Sequence, residues 1–254
     1  MNKFLSNIAG FNVTLTPNGL EFGKDVLPPE FEEKRYSKWS KFFKAQDLDK
    51  DISLYYIYRN VSLSSDSAVL KTHAIRYDLT LVWPGRIGDE AMHTAGHFHK
   101  ASPNKNKYPE IYQVITGEAL FLLQHPESRR FYTAKRGPGQ YIMIPGECGH
   151  ITVNASDEPL LVANVFSSTP DITDYTTIKE HHGPAHYPIS DQPITFQPNP
   201  AYDPAFELIH ANTVSLPDTI PSSGSLYQNA VNNPQSFALL NDPPAITPDE
   251  LFSA

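Results

Sequence analysis

The stretch Thr94-Ala-Gly-His97-Phe-His99 places two histidines one residue apart, and Glu110 and His150 follow further along the chain. Because side chains on a β-strand alternate between its two faces, His97 and His99 are predicted to point to the same side of one strand. A carboxylate on the next strand and a third imidazole would complete a set of three nitrogens and one oxygen. Such a set suits a divalent transition-metal ion with open coordination positions. The pattern therefore predicts a catalytic metal site carried by β-strands.

Glycine, proline and asparagine residues accompany these four candidate ligands at regular spacing. They are Glu110 and Gly117 with six residues between them, Gly139 and Pro145 with five, and His150 and Asn154 with three. In this order and spacing the sequence resembles the two metal-site motifs of the cupins. It departs from them in the ten residues between His99 and Glu110, where 101–108 reads as a polar loop, and in Glu147 where the motif has Gly. The resemblance implies an all-β fold, the cupin double-stranded β-helix or jelly-roll barrel.

A longer string leads into the two histidines: Thr80-Leu-Val-Trp-Pro-Gly85-Arg-Ile-Gly-Asp-Glu90-Ala-Met-His-Thr94. From about Tyr55 to about Ile178 the sequence is similar to the cupin-type glucose-6-phosphate isomerases. That resemblance implies one divalent metal ion per chain, with Fe²⁺ as the first candidate and Mn²⁺, Zn²⁺ or Ni²⁺ as alternatives. Its ligands would be His97, His99, Glu110 and His150.

The same resemblance implies a set of residues that contact a sugar phosphate. Those expected at the phosphate are Thr80, Thr94, Gly96 and Tyr175, and those expected to reach the sugar are Tyr55 and Tyr112. The purely structural alternatives are strand propensity for the two threonines and a β-bulge for Gly96. Phe166 and Thr173 stand where the family has Tyr and His.

The reaction implied is the interconversion of glucose 6-phosphate and fructose 6-phosphate. Glu110 is the candidate base, which would move the C2 proton to C1 through a cis-enediol, with Tyr112 beside it on the same strand face. The alternative route is a direct hydride shift between the two carbons. The sequence is also compatible with a further cupin enzyme acting on a sugar phosphate, a metal-dependent dioxygenase and a non-catalytic sugar-binding cupin. The set of Thr80, Thr94 and Gly96 favours the isomerase.

Composition limits the partners and the compartment. The chain has 254 residues, 40% of them hydrophobic, a formal net charge of −8 and a sequence pI near 5.6. The acidic balance argues against a nucleic-acid partner, and no apolar run is long enough to cross a bilayer. The single cysteine, Cys148, is predicted to be a buried, inert side chain, and the lack of a second cysteine fits the cytoplasm.

The chain divides into a helix-containing extension at 1–50, the barrel with the metal site at 51–179 and an extended arm at 180–254. In the extension, Pro17-Asn-Gly19 predicts a hairpin between Phe11–Leu15 and Leu20–Phe22. Glutamates followed by lysines predict a helix over Pro29–Asp47. Its aromatic residues are interpreted as a face that packs on the sheet: Tyr36, Trp39, Phe42 and Phe43.

Short strands separated by Gly or Pro follow from residue 52 and indicate an antiparallel sandwich or barrel. The predicted strands are Ile52–Val61, His73–Trp83, Ile111–Thr116, Glu118–Gln124, Arg130–Thr133, Gln140–Ile144, His150–Asn154 and Leu160–Phe166.

The arm contains twelve of the twenty-three prolines, which excludes a run of central strands. Its scattered apolar residues predict that it packs on the barrel or on a partner subunit of a homodimer. His181, His182 and His186 are interpreted as a solvated surface run rather than a second metal site. His93 is placed outside the site.

Overall fold

The first fifty residues form short strands and helices, and one of these strands joins a sheet of the barrel. The computed structural model describes residues 2–46, 48–169 and 171–253. The N-terminal elements are β1 (Lys3–Phe4), α1 (Ser6–Ala9), β2 (Val13–Thr16), β3 (Gly19–Phe22), β4 (Glu30–Arg35), α2 (Tyr36–Trp39) and a 3₁₀ helix at Ser40–Phe42. The predicted hairpin is confirmed, since β2 and β3 pair antiparallel with Leu15 opposite Leu20.

The middle of the chain contains the strands that the sequence predicts, with ends shifted by at most three residues. The elements are β5 (Ser53–Arg59), α3 (Ser67–Thr72), β6 (Ile75–Val82), β7 (Arg86–Ile87), β8 (Glu90–Ala91), β9 (Phe98–His99), β10 (Glu110–Thr116), β11 (Ala119–His125), β12 (Arg130–Arg136), β13 (Tyr141–Ile144), β14 (Gly149–Asn154), β15 (Leu160–Ser167), β16 (Thr173–Asp174) and α4 (Thr176–Glu180).

The last part of the chain consists of short strands and helices joined by proline-rich connections. They are β17 (His186–Ile189), β18 (Thr195–Pro198), β19 (Glu207–His210), β20 (Thr213–Val214), α5 (Leu226–Asn232), a 3₁₀ helix at Pro234–Leu240, α6 (Pro248–Leu251) and β21 (Phe252–Ser253).

Two sheets enclose the core of the barrel. One has the strand order β13-β10-β15-β6-β5-β4 and is antiparallel throughout, and the other has the order β14-β11-β12-β19. Strand β10 lies in the first sheet and β11 in the second, and β14 in the second is followed by β15 in the first. Such crossing between sheets is how a jelly-roll barrel is built. The predicted all-β, cupin-type architecture is confirmed.

The helix predicted over Pro29–Asp47 is wrong in its first half. Residues Glu30–Arg35 form the edge strand β4, with Glu30 opposite Arg59 and Lys34 opposite Tyr55, and helical structure begins only at Tyr36. The free edge of β5 offers backbone hydrogen bonds that outweigh the weak helical preference of six residues. Asp47 lies outside the described residues.

The register of the large sheet sets which residues face the barrel cavity. On β15, Phe166 stands opposite Arg76 of β6, and Asn164 stands opposite Asp78. On β10, Tyr112 stands opposite the same Asn164. Because residues directly opposite each other project from the same face, these side chains form rows across the inner surface.

The C-terminal part packs against this barrel. Leu226, Tyr227, Phe237 and Leu240 are buried to 1% exposure or less. The Tyr227 hydroxyl accepts a 2.7 Å hydrogen bond from the Leu63 amide and donates one of 3.0 Å to Asp66. Strand β19 adds to the edge of the second sheet in parallel with β12. No helix among the described residues is long and apolar enough to cross a membrane.

The histidines at the start of this segment differ from the predicted solvated run. His186 is buried, one of its ring nitrogens bonds the Phe206 carbonyl at 2.8 Å, and its ring packs on Phe131. His181 stacks on Tyr202 at 4.2 Å between centroids, while His182 is exposed. The prediction of a solvated side chain is wrong for His186. The pairing of β17 with β18 buries this residue, and local composition does not reveal that pairing.

Candidate metal centre

Backbone pairing brings the first and last candidate ligands side by side. The His97 amide donates to the His150 carbonyl at 3.3 Å, and the His150 amide donates back to the His97 carbonyl at 2.9 Å. The two rings lie 4.3 Å apart between centroids, and the rings of His97 and His99 lie 5.2 Å apart. The predicted convergence of the two histidines of the His-x-His pair is therefore present in the structure.

Glu110, at the start of β10, completes the cluster. One ligand atom from each of His97, His99, Glu110 and His150 lies within 4.8 Å of the others. Glu110 Oε2 is 3.2 Å from His150 Nε2 and 3.6 Å from His99 Nε2. This is the set of three imidazoles and one carboxylate that the sequence predicts.

The polar atoms of the cluster fit a bound cation. The His99 Nδ1–H donates to the Tyr108 carbonyl at 2.7 Å, which leaves Nε2 with its lone pair free on the side of Glu110. His150 Nε2 and His99 Nε2 lie 3.2 and 3.6 Å from Glu110 Oε2, so two imidazole nitrogens and a carboxylate oxygen converge at one buried point. Such a donor set suits a divalent transition-metal ion.

The protonation states also favour metal binding. Burial lowers the pKa of His97 well below its ordinary value and lowers that of His99 to about 4. For Glu110, burial raises the pKa, but the hydrogen bond and charge of His150 and the charge of His99 outweigh it and leave the pKa below its ordinary value. Neutral imidazoles and an ionised carboxylate are the forms that bind metals.

A cavity of about 70 Å³ lies beside the cluster. It is lined by Tyr55, Ile57, Arg59, Arg76, Asp78, Thr80, Thr94, Ala95, His97, His99, Glu110, Tyr112, Asn164, Phe166, Thr173 and Tyr175. All the predicted substrate contacts except Gly96 are in this set. The two positions that depart from the family, Phe166 and Thr173, also line the cavity.

Several of these side chains are fixed by hydrogen bonds. The Tyr55 hydroxyl accepts from the Ala95 amide at 3.2 Å, and Thr94 Oγ1 accepts from the Thr152 amide at 3.0 Å. The Tyr112 hydroxyl lies 3.3 Å from Nε2 of His150, which is one of the four candidate ligands. Three lining residues are thus tied to the cluster or to its supporting backbone.

Tyr175 is held by the aromatic residues of the N-terminal extension. Its ring centroid lies 5.4 Å from that of His97, 5.1 Å from that of Trp39 and 5.7 Å from that of Phe42. The predicted packing face of the extension is present, since Phe42 and Phe43 are buried. The same aromatic residues, Trp39 and Phe42, contact Tyr175 in the cavity wall.

Gly96 has a packing role in the structure. It does not line the cavity, and a Cβ added there would lie 2.6 Å from Ile151 Cγ1 and 2.7 Å from Ile178 Cδ1. Any side chain at this position would therefore displace two buried residues beneath the loop that carries His97.

The sequence does not identify four polar residues of the cavity wall, which are Arg59, Arg76, Asp78 and Asn164. The Asn164 side chain donates a 2.5 Å hydrogen bond to Glu110 Oε1. Asp78 is buried and lies within 3.4 Å of Arg59 and 3.2 Å of Arg76. Burial raises the pKa of Asp78, against the opposing effect of the two guanidiniums. The available signal was the alternation along β6, which places Arg76 and Asp78 on the same face as Thr80.

Cys148 and His93, which the sequence predicts to lie outside the metal site, do not line the cavity. Cys148 is a free, buried thiol whose pKa is raised by burial, as expected for an inert side chain. His93 is fully buried, bonds the Thr94 carbonyl through Nδ1 at 2.8 Å and stacks on Phe43 at 4.3 Å.

A double-sheet barrel with three histidines and a glutamate beside its cavity defines a cupin of the metal-binding class. Within that class, residues 36–204 match the family model described as "Glucose-6-phosphate isomerase (GPI)". The chain belongs to the glucose-6-phosphate isomerase (GPI) family.

Individual relatives agree with the family match. The chain is 33% identical over 130 residues to the glucose-6-phosphate isomerase of Thermococcus kodakarensis, covering 48% of this chain and 66% of the relative. It is 31% identical over 142 residues to that of Thermococcus onnurineus, covering 51% and 72%. A putative glucose-6-phosphate isomerase 2 of Rhizobium meliloti is 34% identical over 106 residues, covering 41% and 50%. The first of these alignments thus spans just under two thirds of the relative's length.

Among solved structures, similarity extends to parts of oxalate decarboxylases. One determined to define the substrate binding mode of that enzyme is 25% identical, with a TM-score of 0.33, and covers 44% of this chain and 26% of the other. The Lactobacillus farciminis enzyme in complex with formate is 20% identical, with a TM-score of 0.37, and covers 55% and 35%.

Proposed function

We propose that this protein is a metal-dependent aldose–ketose isomerase that interconverts glucose 6-phosphate and fructose 6-phosphate. The observation that carries the proposal is the cluster of His97, His99, Glu110 and His150, with donor atoms within 4.8 Å of one another at a cavity that also holds Tyr112. The curated relatives that bear this activity in their names support the choice of reaction.

The proposed cofactor is one divalent metal ion per chain, held by the four clustered residues. Fe²⁺ is the first candidate, and Mn²⁺, Zn²⁺ and Ni²⁺ are alternatives that the same nitrogen and oxygen donors accept. The ion would supply positive charge that stabilises the oxygens of C1 and C2 as negative charge develops on them.

Glu110 is the proposed catalytic base. Its Oε1 accepts from Asn164, while Oε2 faces His150 at 3.2 Å and His99 at 3.6 Å. A carboxylate fixed in this way can take the C2 proton and return it at C1, by way of a cis-enediol. Tyr112, 3.3 Å from His150, is placed to donate a hydrogen bond to a sugar oxygen. In the alternative route the hydrogen moves as a hydride and Glu110 serves only as a ligand.

The remaining proposed contacts hold the rest of the substrate. Thr80, Thr94 and Tyr175 line the cavity and offer hydroxyl donors to a phosphate, and Tyr55 lies beside them. Gly96 has no side chain and would contribute only its backbone amide. The buried side chains of Tyr55, Glu110 and Tyr112 also limit the contact of a reactive enediol with bulk water.

We further propose a cytoplasmic location, a homodimer and the division of the chain at residues 50 and 180. The dimer is supported by β4, an edge strand on which Phe31 is 57% exposed, since exposed edge strands are commonly covered by a partner. Light scattering on the purified protein tests the dimer directly, and a monomer at micromolar concentration would reject it.

The test of the activity is a coupled assay of fructose 6-phosphate isomerisation. Protein stripped with EDTA should be inactive, and Fe²⁺, Mn²⁺, Zn²⁺ or Ni²⁺ added singly should restore turnover. Equal activity before and after verified metal removal would contradict metal dependence. No conversion with any of the four ions would contradict the isomerase assignment.

A further inference from the structure

The β9–β10 loop, residues 101–108, connects two of the candidate metal ligands. It follows His99 and leads to Glu110, and it is the first of the two departures from the cupin motifs. The Tyr108 amide donates to the Lys100 carbonyl at 3.3 Å, which closes the base of the loop. The Tyr108 carbonyl accepts the 2.7 Å hydrogen bond from Nδ1 of His99. The position of this loop therefore sets the orientation of the His99 ring.

The second departure from the cupin motifs, Glu147, contacts the same loop. Its Oε1 accepts from the Lys107 amide at 3.4 Å, and its Oε2 lies 3.4 Å from Lys107 Nζ. The preceding residue packs still closer, since a Cβ added to Gly146 would lie 2.1 Å from the Lys107 carbonyl oxygen. Gly146 and Glu147 form the turn that precedes His150. The loop is thus packed on the segment that carries a third candidate ligand.

The outer end of the loop is bound to the C-terminal arm through Asn104. Its side-chain Nδ2 donates to Asp242 Oδ1 at 2.7 Å and to the Pro243 carbonyl at 3.0 Å. Its Oδ1 accepts from Ser102 Oγ at 2.7 Å and from the Asn106 amide at 3.0 Å. An asparagine side chain has two donor hydrogens and two acceptor lone pairs. Asn104 therefore uses its full hydrogen-bonding capacity, half of it inside the loop and half on the arm.

The arm is itself fixed at this point. Asn241 Nδ2 donates to the His73 carbonyl at 2.9 Å, and Asn241 Oδ1 accepts from Ser167 Oγ at 2.7 Å. Ser167, at the end of β15, and Leu240 are both fully buried. The two residues that follow Asn241 are therefore anchored to the barrel, and they can hold the loop in place.

The contact joins two parts of the chain that differ in their relation to the family. The family model matches residues 36–204, so residues 241–243 lie outside the matched region. The β9–β10 loop lies inside that region but exceeds the spacing of the motif. A longer loop loses more conformational entropy when its two ends are brought together. Hydrogen bonds to an anchored segment offset that loss, because they restrict the loop to the conformation that the ligands need.

We infer that Asn104 is a positioning residue for the metal centre. By binding Asp242 and Pro243, it ties the β9–β10 loop to the C-terminal arm. The loop in turn keeps the Tyr108 carbonyl in contact with Nδ1 of His99, and this contact slows the release of the ion. The inference rests on the proposed metal cofactor. It gives the arm a role in metal retention that is separate from its burial of apolar surface.

The test measures how fast Zn²⁺ leaves the purified, Zn²⁺-loaded protein after an excess of a coloured chelator is added. Asp242→Ala removes an acceptor of the Asn104 amide and changes none of the candidate ligands. It should speed the release of Zn²⁺ by roughly 2- to 10-fold, the range for losing one hydrogen bond. Asn104→Asp should speed release further, because two carboxylates would then face each other.

Exchanging the two side chains provides a conservative rescue. In the double variant Asn104→Asp with Asp242→Asn, an amide at position 242 can donate to a carboxylate at position 104. Release of Zn²⁺ from the double variant should be slower than from Asn104→Asp alone. Such a recovery measures the coupling between the two positions and is not expected from two independent losses of stability.

Asp249→Ala is the matched control. Asp249 also lies in the C-terminal arm, but its carboxylate binds Arg130 and Tyr132 and not the loop. This variant should melt at a lower temperature and release Zn²⁺ at the wild-type rate. If it speeds release as much as Asp242→Ala does, the effect comes from general destabilisation and the inference is wrong.

The remaining outcomes separate this inference from the proposed cofactor. Melting curves show which variants are folded, and either Asp242→Ala or Asn104→Asp is sufficient if the other does not fold. Release at the wild-type rate from a folded variant would reject the role of Asn104 and leave the metal centre intact. A wild-type protein that binds no Zn²⁺, Fe²⁺, Mn²⁺ or Ni²⁺ would reject the metal centre and this inference together.

Discussion

Asn164 donates a 2.5 Å hydrogen bond to Oε1 of Glu110, and both side chains are at most 5% exposed. The bond turns the second oxygen of the carboxylate towards His99 and His150. Asn164 sits at this point because β15 lies between β10 and β6 in the sheet. The side-chain amide of Asn164 therefore sets the orientation of the Glu110 carboxylate in the cavity.

Asn164→Ala should release Glu110 and lower kcat or metal affinity by about 10- to 100-fold, the usual effect of losing a residue that orients a ligand. KM for fructose 6-phosphate should change less than kcat. Steady-state kinetics and metal titration measure the two effects, and Asn229→Ala, on helix α5, is the control. An Asn164→Ala enzyme with wild-type kcat and metal affinity would show that Glu110 needs no anchor.

The three histidines should each be needed for metal retention. We expect wild type to contain about one divalent ion per chain and His97→Ala, His99→Ala and His150→Ala to lose most of it, because a site of four donors binds poorly with three. Elemental analysis of purified proteins measures this, with His125→Ala, outside the cluster, as the control. Undiminished metal in all three variants would eliminate the site.

Glu110→Gln keeps the shape of the side chain and an oxygen for the ion but cannot accept a proton. Turnover should fall by about two to four orders of magnitude, the range for losing a general base. Metal content should remain closer to wild type than in the histidine variants. Turnover near the wild-type value with bound metal would instead favour the hydride route.

Gly96→Ala should destabilise the protein by about 1 to 3 kcal/mol, because the added methyl overlaps Ile151 and Ile178. Thermal unfolding measures the loss. Gly137→Ala is the control, since its nearest neighbour would be Gln140 Oε1 at 3.8 Å. Equal melting temperatures for the two variants would show that the loop before His97 can shift without a loss of stability.

Phe237→Ala tests whether the C-terminal segment is part of the core. Phe237 is fully buried, so its truncation should cost about 3 to 5 kcal/mol and lower the melting temperature by ~6 to 20 °C. Phe4→Ala removes the same ring from a site 83% exposed and should have little effect.

Truncation at Pro184 should affect the protein more strongly than Phe237→Ala and cause aggregation. A soluble truncated chain with an unchanged melting temperature would make the segment dispensable.

The strands and the pair His97 and His99 could be predicted because their signals are local, and Glu110 and His150 because they stand at the spacing of the two cupin motifs. The alternation on β6 and the His-x-His spacing each depend on a few neighbouring residues. The strand at Glu30–Arg35 was misassigned because its charges fit the first turns of a helix, and only pairing with β5 makes it a strand. Pairing between distant segments cannot be read from such a pattern.

The same limit explains the missed cavity residues. Arg76, Asp78 and Asn164 meet because of the register between β6 and β15, in which Arg76 and Asp78 stand opposite residues more than eighty positions later in the sequence. A change of register by one residue would turn every side chain of a strand to the opposite face. The sequence shows the residue types, but it does not show which of these residues become neighbours in the folded protein.

The rings of Phe11, Tyr77 and Tyr227 pack edge to face, with centroids 4.9 to 5.9 Å apart. These three residues come from the beginning, the middle and the end of the chain. During synthesis, Phe11 and Tyr77 leave the ribosome long before Tyr227 has been synthesised, so until then both rings lack their contact with Tyr227. This part of the core is therefore completed only after Tyr227 has been synthesised, and chaperone dependence should be greatest for nascent chains that have passed residue 77 but not residue 227.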